Sequence, residues 1–211
     1  MKLNTIITIR SKSCHVKTLH TMLRLNILCM QNNVQHEISY VNDDAHSKNE
    51  TIKQKMKTCD KLFFIDFGVH VDEGSILKIF ETHDCLVFPA ACEGINWDMF
   101  REKILNDIDE PVEQIGLEFD TEIGQKIADD IYKVKRSDPK SWVIKGSLMH
   151  KHLKNKKSLG ISLPLKFSEM FDKLITNGMK VYAYTGARLT VTYPHECLSN
   201  ILEAAGVQLK G

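Results

Sequence analysis

The segment from Lys61 to Asp72 carries the residue types in this 211-residue chain that are best suited to chemistry. An apolar run of strand length ends there in Asp66, and a glycine, a histidine and a second aspartate follow. Open α/β sheets bind their ligands at the carboxyl ends of such buried strands. A carboxylate there suits a divalent cation, and such a cation suits a phosphorylated ligand. An aspartate that only caps the next turn has the same local sequence, so Asp66 alone leaves both interpretations open.

The segments before Asp66 alternate in the order that builds a parallel sheet. Leu3–Ile9 and Glu37–Val41 are rich in β-forming residues, and helical patterns follow them over Val16–Met30 and Asn49–Cys59. Strand, helix, strand, helix and strand in this order favour a doubly wound sheet with right-handed crossovers. Spacings of three and four in the first helix predict a core-facing stripe made of Val16, Leu19, Leu23, Ile27 and Met30.

The later segments predict a more mixed second half. Asp72 is placed to cap a short helix, Cys85–Phe88 has the pattern of a strand, and Trp97–Leu105 that of a helix. Isoleucines four residues apart predict a helix over Thr121–Val134, with Asp120 as its cap. Downstream we predict a helix from Ser168 to Asn177, a hairpin or paired strands within Lys180–Tyr193, and a final helix from His195 to Ala205.

The composition narrows the class of protein. A chain with 43% hydrophobic and 26% charged residues predicts one soluble globular domain. A net charge of +1 argues against a nucleic-acid partner, and no segment approaches the roughly 20 apolar residues of a membrane span. The first ten residues lack the pattern of a secretory signal, and the six cysteines form no C-x-x-C pair. We therefore expect reduced thiols, no structural zinc and a cytoplasmic location, which is the host cytoplasm if the protein is viral.

From Lys17 to about Lys103 the chain resembles the nucleotide-sugar half of GT-A-type glycosyltransferases, especially small bacterial, phage and viral ones. Lys48-Asn49 matches an Arg-Asn pair that often opens a helix in that family, and the run ending in Asp66 matches a strand that ends in Asp-x-Asp. Cys85–Pro89 and Ile95–Asp98 match the next strand and its aromatic continuation. The resemblance implies a single GT-A-like α/β domain over residues 1–211, with a mostly parallel Rossmann-like sheet flanked by helices. Residues 1–110 would be the nucleotide-sugar-binding half, and residues 111–211 the mixed, acceptor-side half.

The same resemblance implies an activity and a cofactor. The family transfers a sugar from a nucleotide-diphosphate donor, such as a UDP-sugar, to a glycan or glycoprotein hydroxyl. Its paired aspartates hold Mn²⁺ or Mg²⁺, which neutralises the leaving diphosphate. Asp66 matches the first carboxylate, but Gly68 stands at the position of the second. Asp72 and, as a ligand from the C-terminal part, His195 are the further metal candidates.

The remaining candidate residues follow from the positions of strands and loops in this fold. Thr8, Arg10, Asn42 and Asp43 lie at the exits of the first two strands, where the fold receives the base and ribose. Lys48 and Asn49 are candidates for contacting the nucleotide. An inverting transferase needs a general base beside the acceptor hydroxyl, and the candidates for that side are Glu93 and Asp98.

Two rival interpretations fit part of the pattern. A HAD-type phosphatase also has an apolar strand that ends in aspartate. However, that family needs a second aspartate where Gly68 stands, and Asp129-Asp130 falls inside a predicted helix. A GT-A-like module that binds a nucleotide or glycan without turnover is the non-enzymatic alternative, which Gly68 favours. The sequence leaves open the sugar, the nucleotide and the stereochemical outcome.

Overall fold

The computed structural model describes residues 1–106, 115–154, 161 and 163–192, and the structural statements below concern these residues. The strands are β1 (Lys2–Ile9), β2 (Gln35–Asn42), β3 (Lys61–Ile65), β4 (Val69–Val71), β5 (Cys85–Val87), β6 (Thr121–Ala128), β7 (Ile131–Ser137), β8 (Ser141–Lys145), β9 (Val181–Tyr184) and β10 (Leu189–Val191). The helices are α1 (Val16–Gln31), α2 (Ala45–Lys55), α3 (Glu73–Leu77), α4 (Trp97–Leu105), α5 (Gly146–Leu153) and α6 (Phe167–Thr176).

One large sheet organises the described chain, in the strand order β2-β1-β3-β8-β5-β9-β7-β6. Strands β7 and β8 are antiparallel to their neighbours in this sheet. The other six strands run in one direction, with direct parallel pairing in β1–β2, β1–β3 and β5–β9. The predicted α/β class with a mostly parallel sheet is thereby confirmed. Strand β8 has no counterpart among the predicted elements. It belongs to the second half of the chain but lies between β3 and β5, two strands of the first half.

Alternating residues of the central strands face two helical layers. Phe64 of β3 lies in a core with residues of α2, α5 and α6, including the fully buried Met149 and Phe171. Its neighbour Phe63 lies in a second core, with Met22 of α1 among others. A sheet buried on both faces in this way explains why Leu62 to Ile65 is a continuous apolar run. Among the described residues, no helix is long and apolar enough to cross a membrane.

Helix α1 forms where the sequence predicts it, but it buries a different face. The predicted core stripe is exposed, with Leu23 57% and Met30 72% accessible. The buried face consists instead of Thr18, Thr21, Met22, Leu25, Leu28 and Cys29. Polar groups select this face, because the Thr18 hydroxyl donates to the Val69 carbonyl at 3.0 Å and the Thr21 hydroxyl accepts from the Val71 amide at 3.0 Å. The two threonines thus satisfy backbone groups of β4 that face the helix.

Two predictions for the second half of the chain are also wrong. Thr121–Val134 is not a helix: it forms β6 and the start of β7, joined by a turn in which Asp130 has a φ of +56°. Isoleucines four residues apart also lie on one face of a strand, and pairing of β7 with β9 selects the strand. The strands within Lys180–Tyr193 both form but do not pair with each other, since β9 joins the large sheet and β10 pairs with β4. The predicted final helix lies outside the described residues.

Candidate functional site

Four charged side chains meet where the first three strands end. Arg10 follows β1, Asp43 follows β2, Asp66 follows β3, and Lys48 lies in the first turn of α2. The Asp43 carboxylate accepts from Arg10 Nε and from Lys48 Nζ, each at 2.6 Å, and Lys48 Nζ lies 3.5 Å from Asp66 Oδ1. We refer to these four residues as the strand-end cluster. All four were predicted as donor-binding residues, and the fold brings them together because parallel strands end at one edge.

Three members of the strand-end cluster are partly shielded from water, while the Arg10 side chain is 43% exposed. The side chains of Lys48, Asp66 and Asp43 are 15%, 23% and 25% exposed. Burial alone would raise the pKa of the Asp43 carboxyl, but hydrogen bonds and charge from Lys48 and Arg10 lower it below its ordinary value. Asp43 is therefore a carboxylate that holds two cations in place.

Aromatic rings lie beneath both cations. The Arg10 guanidinium lies 5.0 Å from the centre of the Phe67 ring, and Lys48 Nζ lies 5.9 Å from that of Phe64. Phe67 directly follows Asp66 and is half-buried. Such cation–ring contacts add to the ion pairs in fixing the position of the cations. The cluster thus presents oriented positive groups beside a planar side chain.

The other predicted donor-side residues take different places. Thr8 is fully buried, and its hydroxyl has no hydrogen-bond partner among the described residues. Asn42 is exposed at the end of β2. Asn49 is buried, and its side-chain amide donates to the Pro164 carbonyl at 2.9 Å. Asn49 therefore braces α2 against the segment before α6.

Gly68 is a glycine for a backbone reason. Its φ is +77°, in the left-handed region that side chains disfavour, and its carbonyl accepts from the Thr192 amide at 2.9 Å. A Cβ built on Gly68 would lie 2.7 Å from the Thr192 carbonyl oxygen. No side chain, and so no second carboxylate, fits at this position without a shift of the backbone.

The metal candidates are not assembled into a cation site in the described part of the chain. The Asp72 carboxylate caps α3, where it accepts from the Gly74 amide at 3.1 Å, the Arg188 amide at 3.2 Å and the Ser75 hydroxyl. His195 lies outside the described residues. Within those residues, no group of three or more histidine, cysteine or acidic side chains is arranged to hold a metal. The donor set around Asp66 therefore does not fit a divalent cation by itself.

Two adjacent cavities lie on this side of the protein, and Asp43 and Lys48 of the strand-end cluster line the first of them. The first, of about 210 Å³, is lined by Asp43, Asp44, Ala45, Lys48, Asn49, Asp138, Leu165, Lys166 and Phe167. The second, of about 280 Å³, is lined by Phe119, Asp120, Glu122, Arg136, Ser137, Asp138 and Ser168. We call them the donor-side cavity and the Asp120 cavity. Asp138 lines both, so the two spaces are neighbours.

Asp120, which the sequence predicted only as a helix cap, is a half-buried carboxylate in the second cavity. Its Oδ1 accepts from the Ala90 amide at 3.1 Å and the Thr121 hydroxyl at 2.9 Å, and its Oδ2 accepts from the Lys140 amide at 3.4 Å. Burial raises the pKa of the Asp120 carboxyl to about 6, although these hydrogen bonds lower it. The sequence predicted a helix cap because the segment after Asp120 was predicted to be helical. Nothing local in the sequence marks it as a half-buried carboxylate in a cavity.

The predicted acceptor-side carboxylates lie on the surface. The Asp98 side chain is 97% exposed on α4, 3.8 Å from Arg101. Glu93 is exposed and follows Cys92, whose amide donates to the Glu118 carbonyl at 2.7 Å. Neither carboxylate lines the donor-side or the Asp120 cavity. Their catalytic role stays a prediction.

Comparison with known proteins identifies the fold. No protein-family model matches the sequence, and no curated protein matches it. Among solved structures, GalNAc-T7 with UDP, GalNAc and Mn²⁺ superimposes with a TM-score of 0.51 at 12% identity, covering 92% of this chain and 44% of that one. HddC from Yersinia pseudotuberculosis has a TM-score of 0.45 at 9% identity, with 89% and 92% covered. Residues 1–349 of S. aureus TarS have a TM-score of 0.44 at 12% identity, with 88% and 60% covered.

The chain therefore has a GT-A-like α/β fold, as the sequence resemblance implied. The similarity to GalNAc-T7 extends over nearly all of this chain but over less than half of that protein.

Proposed function

We propose that this protein is a glycosyltransferase that takes a sugar from a nucleotide-diphosphate donor and transfers it to a glycan or glycoprotein hydroxyl. The observation that carries the proposal is the strand-end cluster, in which Arg10, Asp43, Lys48 and Asp66 meet beside the donor-side cavity. The carboxyl ends of parallel strands are where open α/β sheets bind nucleotides. A solved GT-A-like structure that contains UDP and a sugar supports the same class of ligand.

The cluster suits a nucleoside diphosphate through an exchange of partners. In the structure, the carboxylate oxygens of Asp43 accept hydrogen bonds from Lys48 and Arg10. An arriving diphosphate offers both cations new oxygen acceptors, and a freed Asp43 carboxylate then accepts from the ribose hydroxyls. Phe67, already in contact with Arg10, provides a planar face for the base. As the bond to the diphosphate breaks, the Lys48 ammonium stabilises the negative charge that develops.

A divalent cation is a separate element of the proposal. The GalNAc-T7 structure contains Mn²⁺, but the described residues around Asp66 do not complete a metal site, so no step is assigned to a metal here. Asp66 remains the first candidate ligand, and His195 is the second, because the sequence resemblance implies a histidine ligand from the C-terminal part. If they bind Mn²⁺, His195→Ala weakens the effect of Mn²⁺ on nucleotide binding and leaves metal-free binding unchanged.

The test measures the thermal unfolding midpoint with UDP-, GDP- and dTDP-sugars, each with and without Mn²⁺. We expect one nucleotide class to raise the midpoint in the wild type. Lys48→Met and Asp43→Asn should abolish this rise, whereas Arg101→Met, on an exposed ion pair, should retain it. Midpoints that no nucleotide raises would contradict the proposal.

Turnover separates the remaining alternatives. Release of nucleoside diphosphate from the stabilising donor identifies a transferase, because water can replace the acceptor. Binding of the nucleotide without any release identifies a non-catalytic module. The HAD-type alternative requires hydrolysis of a phosphomonoester such as p-nitrophenyl phosphate that is lost in Asp66→Asn.

A further inference from the structure

We propose that the Asp120 cavity is the acceptor subsite and that Asp120 is the general base of the transfer. This inference rests on the proposed function, because it needs a sugar donor in the neighbouring cavity. It assigns to Asp120 the role that the sequence suggested for Glu93 or Asp98. Those two carboxylates lie on the surface, whereas Asp120 lies in a cavity next to the donor side.

The backbone of Lys140 connects Asp120 to the end of β3. The Lys140 amide donates to Asp120 Oδ2, and the Lys140 carbonyl accepts from the Asp66 amide at 2.9 Å. Lys140 is thus hydrogen-bonded both to the backbone of Asp66 and to the carboxylate of Asp120. Asp138 strengthens the link, since it lines both cavities and its amide donates to the Asp120 carbonyl at 2.8 Å. A donor sugar and an acceptor hydroxyl held in these cavities lie on either side of Asp138.

Asp120 is rigidly held but keeps acceptor capacity. Its backbone pairs with Ala90, through an Asp120 amide to Ala90 carbonyl bond of 3.0 Å in addition to the side-chain bond. Oδ1 has two short hydrogen bonds, while Oδ2 has one long one among the described residues. A carboxylate oxygen offers two lone pairs, so Oδ2 has room for an acceptor hydroxyl. The hydrogen bonds to Oδ1 hold the carboxylate in place, and Oδ2 accepts the proton of the acceptor hydroxyl.

The lining of the cavity suits a carbohydrate. Arg136, Glu122 and Ser168 supply donors and acceptors, and Phe119, which is 47% exposed, offers an apolar face. Sugars are recognised by such a combination of directed hydrogen bonds and a flat apolar surface. The volume of about 280 Å³ accommodates a sugar ring.

The step is a single displacement. The acceptor oxygen forms a bond to the anomeric carbon of the donor sugar, and the bond from that carbon to the diphosphate oxygen breaks, with its electron pair leaving on the diphosphate. The acceptor proton moves to Asp120 Oδ2. Attack from the side opposite the leaving group inverts the anomeric configuration.

Several titratable side chains surround this carboxylate. Glu118 and Glu122 lie on the chain around it, Arg136 and Asp138 line the cavity, and Cys92 and Lys140 are coupled to it electrostatically. Since its pKa is raised to about 6, the base is ionised above neutral pH but remains basic enough to take a proton.

The test uses the full chain and the nucleotide sugar that stabilises it, with release of nucleoside diphosphate as the readout. In the wild type we expect kcat/KM to rise with pH along a limb centred near 6. Asp120→Asn should keep the thermal shift by the nucleotide but lose at least about 100-fold in turnover, together with this limb. Asp129→Asn is the matched control, because its carboxylate is fully exposed and lines neither cavity, and it should stay near the wild-type rate.

Several outcomes would overturn the assignment. Turnover by Asp120→Asn at the wild-type rate would overturn it. The assignment would also fail if Asp138→Asn loses the pH-dependent limb of kcat/KM while Asp120→Asn keeps this limb. If Asp120→Asn does not fold, Thr121→Val decides, because removing a hydrogen bond to the ionised carboxylate raises its pKa and moves the limb to higher pH. A limb that does not move in Thr121→Val overturns the assignment. Absence of any nucleotide binding overturns the proposed function and this inference together, whereas donor release that is independent of Asp120 overturns this inference alone.

Discussion

The Thr192 amide donates a 2.9 Å hydrogen bond to the Gly68 carbonyl, and the Thr192 carbonyl oxygen occupies the space that a side chain on Gly68 would need. The end of β10 is thereby fastened to the loop that follows Asp66. This contact explains why the second carboxylate of the GT-A pattern is absent: the position is filled by backbone.

Gly68→Ala should destabilise the protein more than another left-handed glycine does. Gly94 is the matched control, since its φ is +90° and nothing lies within 4 Å of a Cβ built on it. Gly94→Ala should lower the free energy of unfolding by only about 1–2 kcal/mol, because a side chain is disfavoured on left-handed backbone. Gly68→Ala adds the clash with Thr192, and we expect a further loss of at least about 1 kcal/mol in urea unfolding. Equal losses of unfolding free energy in the two variants would show that the Thr192 backbone moves aside without a cost in stability, contrary to this prediction.

Leucines two positions apart on α1 should differ sharply in their contribution to stability. Leu25 is fully buried, whereas Leu23 is 57% exposed. We expect Leu25→Ala to lower the free energy of unfolding by about 2–5 kcal/mol, and Leu23→Ala by less than about 0.5 kcal/mol. Denaturant unfolding of the two variants measures both values. A larger loss in Leu23→Ala than in Leu25→Ala would show that the face predicted from the sequence is the buried one.

Lys48→Met should weaken the fold near neutral pH and much less in acid. The variant leaves Asp43 and Asp66 without the cation between them, and we expect a loss of about 1–3 kcal/mol at pH 7. The pKa of Asp43 is lowered in the folded state, so its stabilising effect is present above the ordinary value of 3.8 and disappears as the pH falls through the lowered one. The difference between wild type and variant should therefore shrink as the pH falls from 7 to well below 3.8. Unfolding in urea at both pH values measures it, and Arg101→Met should lose less than about 0.5 kcal/mol.

Asp120→Asn should change stability in the opposite sense with pH. The folded-state pKa of about 6 lies above the ordinary value of 3.8, so the group stabilises the fold below 3.8 and loses this effect as the pH rises through 6. The wild type should gain up to about 3 kcal/mol relative to Asp120→Asn between pH 7 and pH 4. Unfolding free energies of both proteins at pH 4, 5.5 and 7 test this. Parallel pH profiles would contradict the buried state of Asp120.

The first half of the fold was predictable because local patterns and tertiary structure agree there. The run that ends in Asp66 forms a strand, and Asp72 caps the next helix, as their residue types indicate. The strand-end cluster follows from the same agreement, since parallel strands bring Arg10, Asp43 and Asp66 to one edge whatever their loops do.

The errors arise where a long-range partner decides. The spacing of Ile123 and Ile127 fits a helix and one face of a strand equally, and β9, which comes much later in the sequence, selects the strand for this segment through β7. On α1, the hydroxyls of Thr18 and Thr21 meet β4 and outweigh an apolar stripe. Asp120 was missed for the same reason, because the backbone amides of Ala90 and Lys140 that hold it are distant in sequence.

The position of β8 has a consequence for how the chain is made. Ser141–Lys145 pairs with β3 on one side and β5 on the other, and Trp142 stacks on Phe64 with ring centres 5.4 Å apart. A nascent chain on the ribosome that has not yet reached Ser141 therefore exposes an unpaired apolar strand edge, which invites association with other chains. Co-translational folding of the first half of the sheet must wait for the strand that completes its centre. Burial of Trp142 marks the moment at which the growing chain is protected.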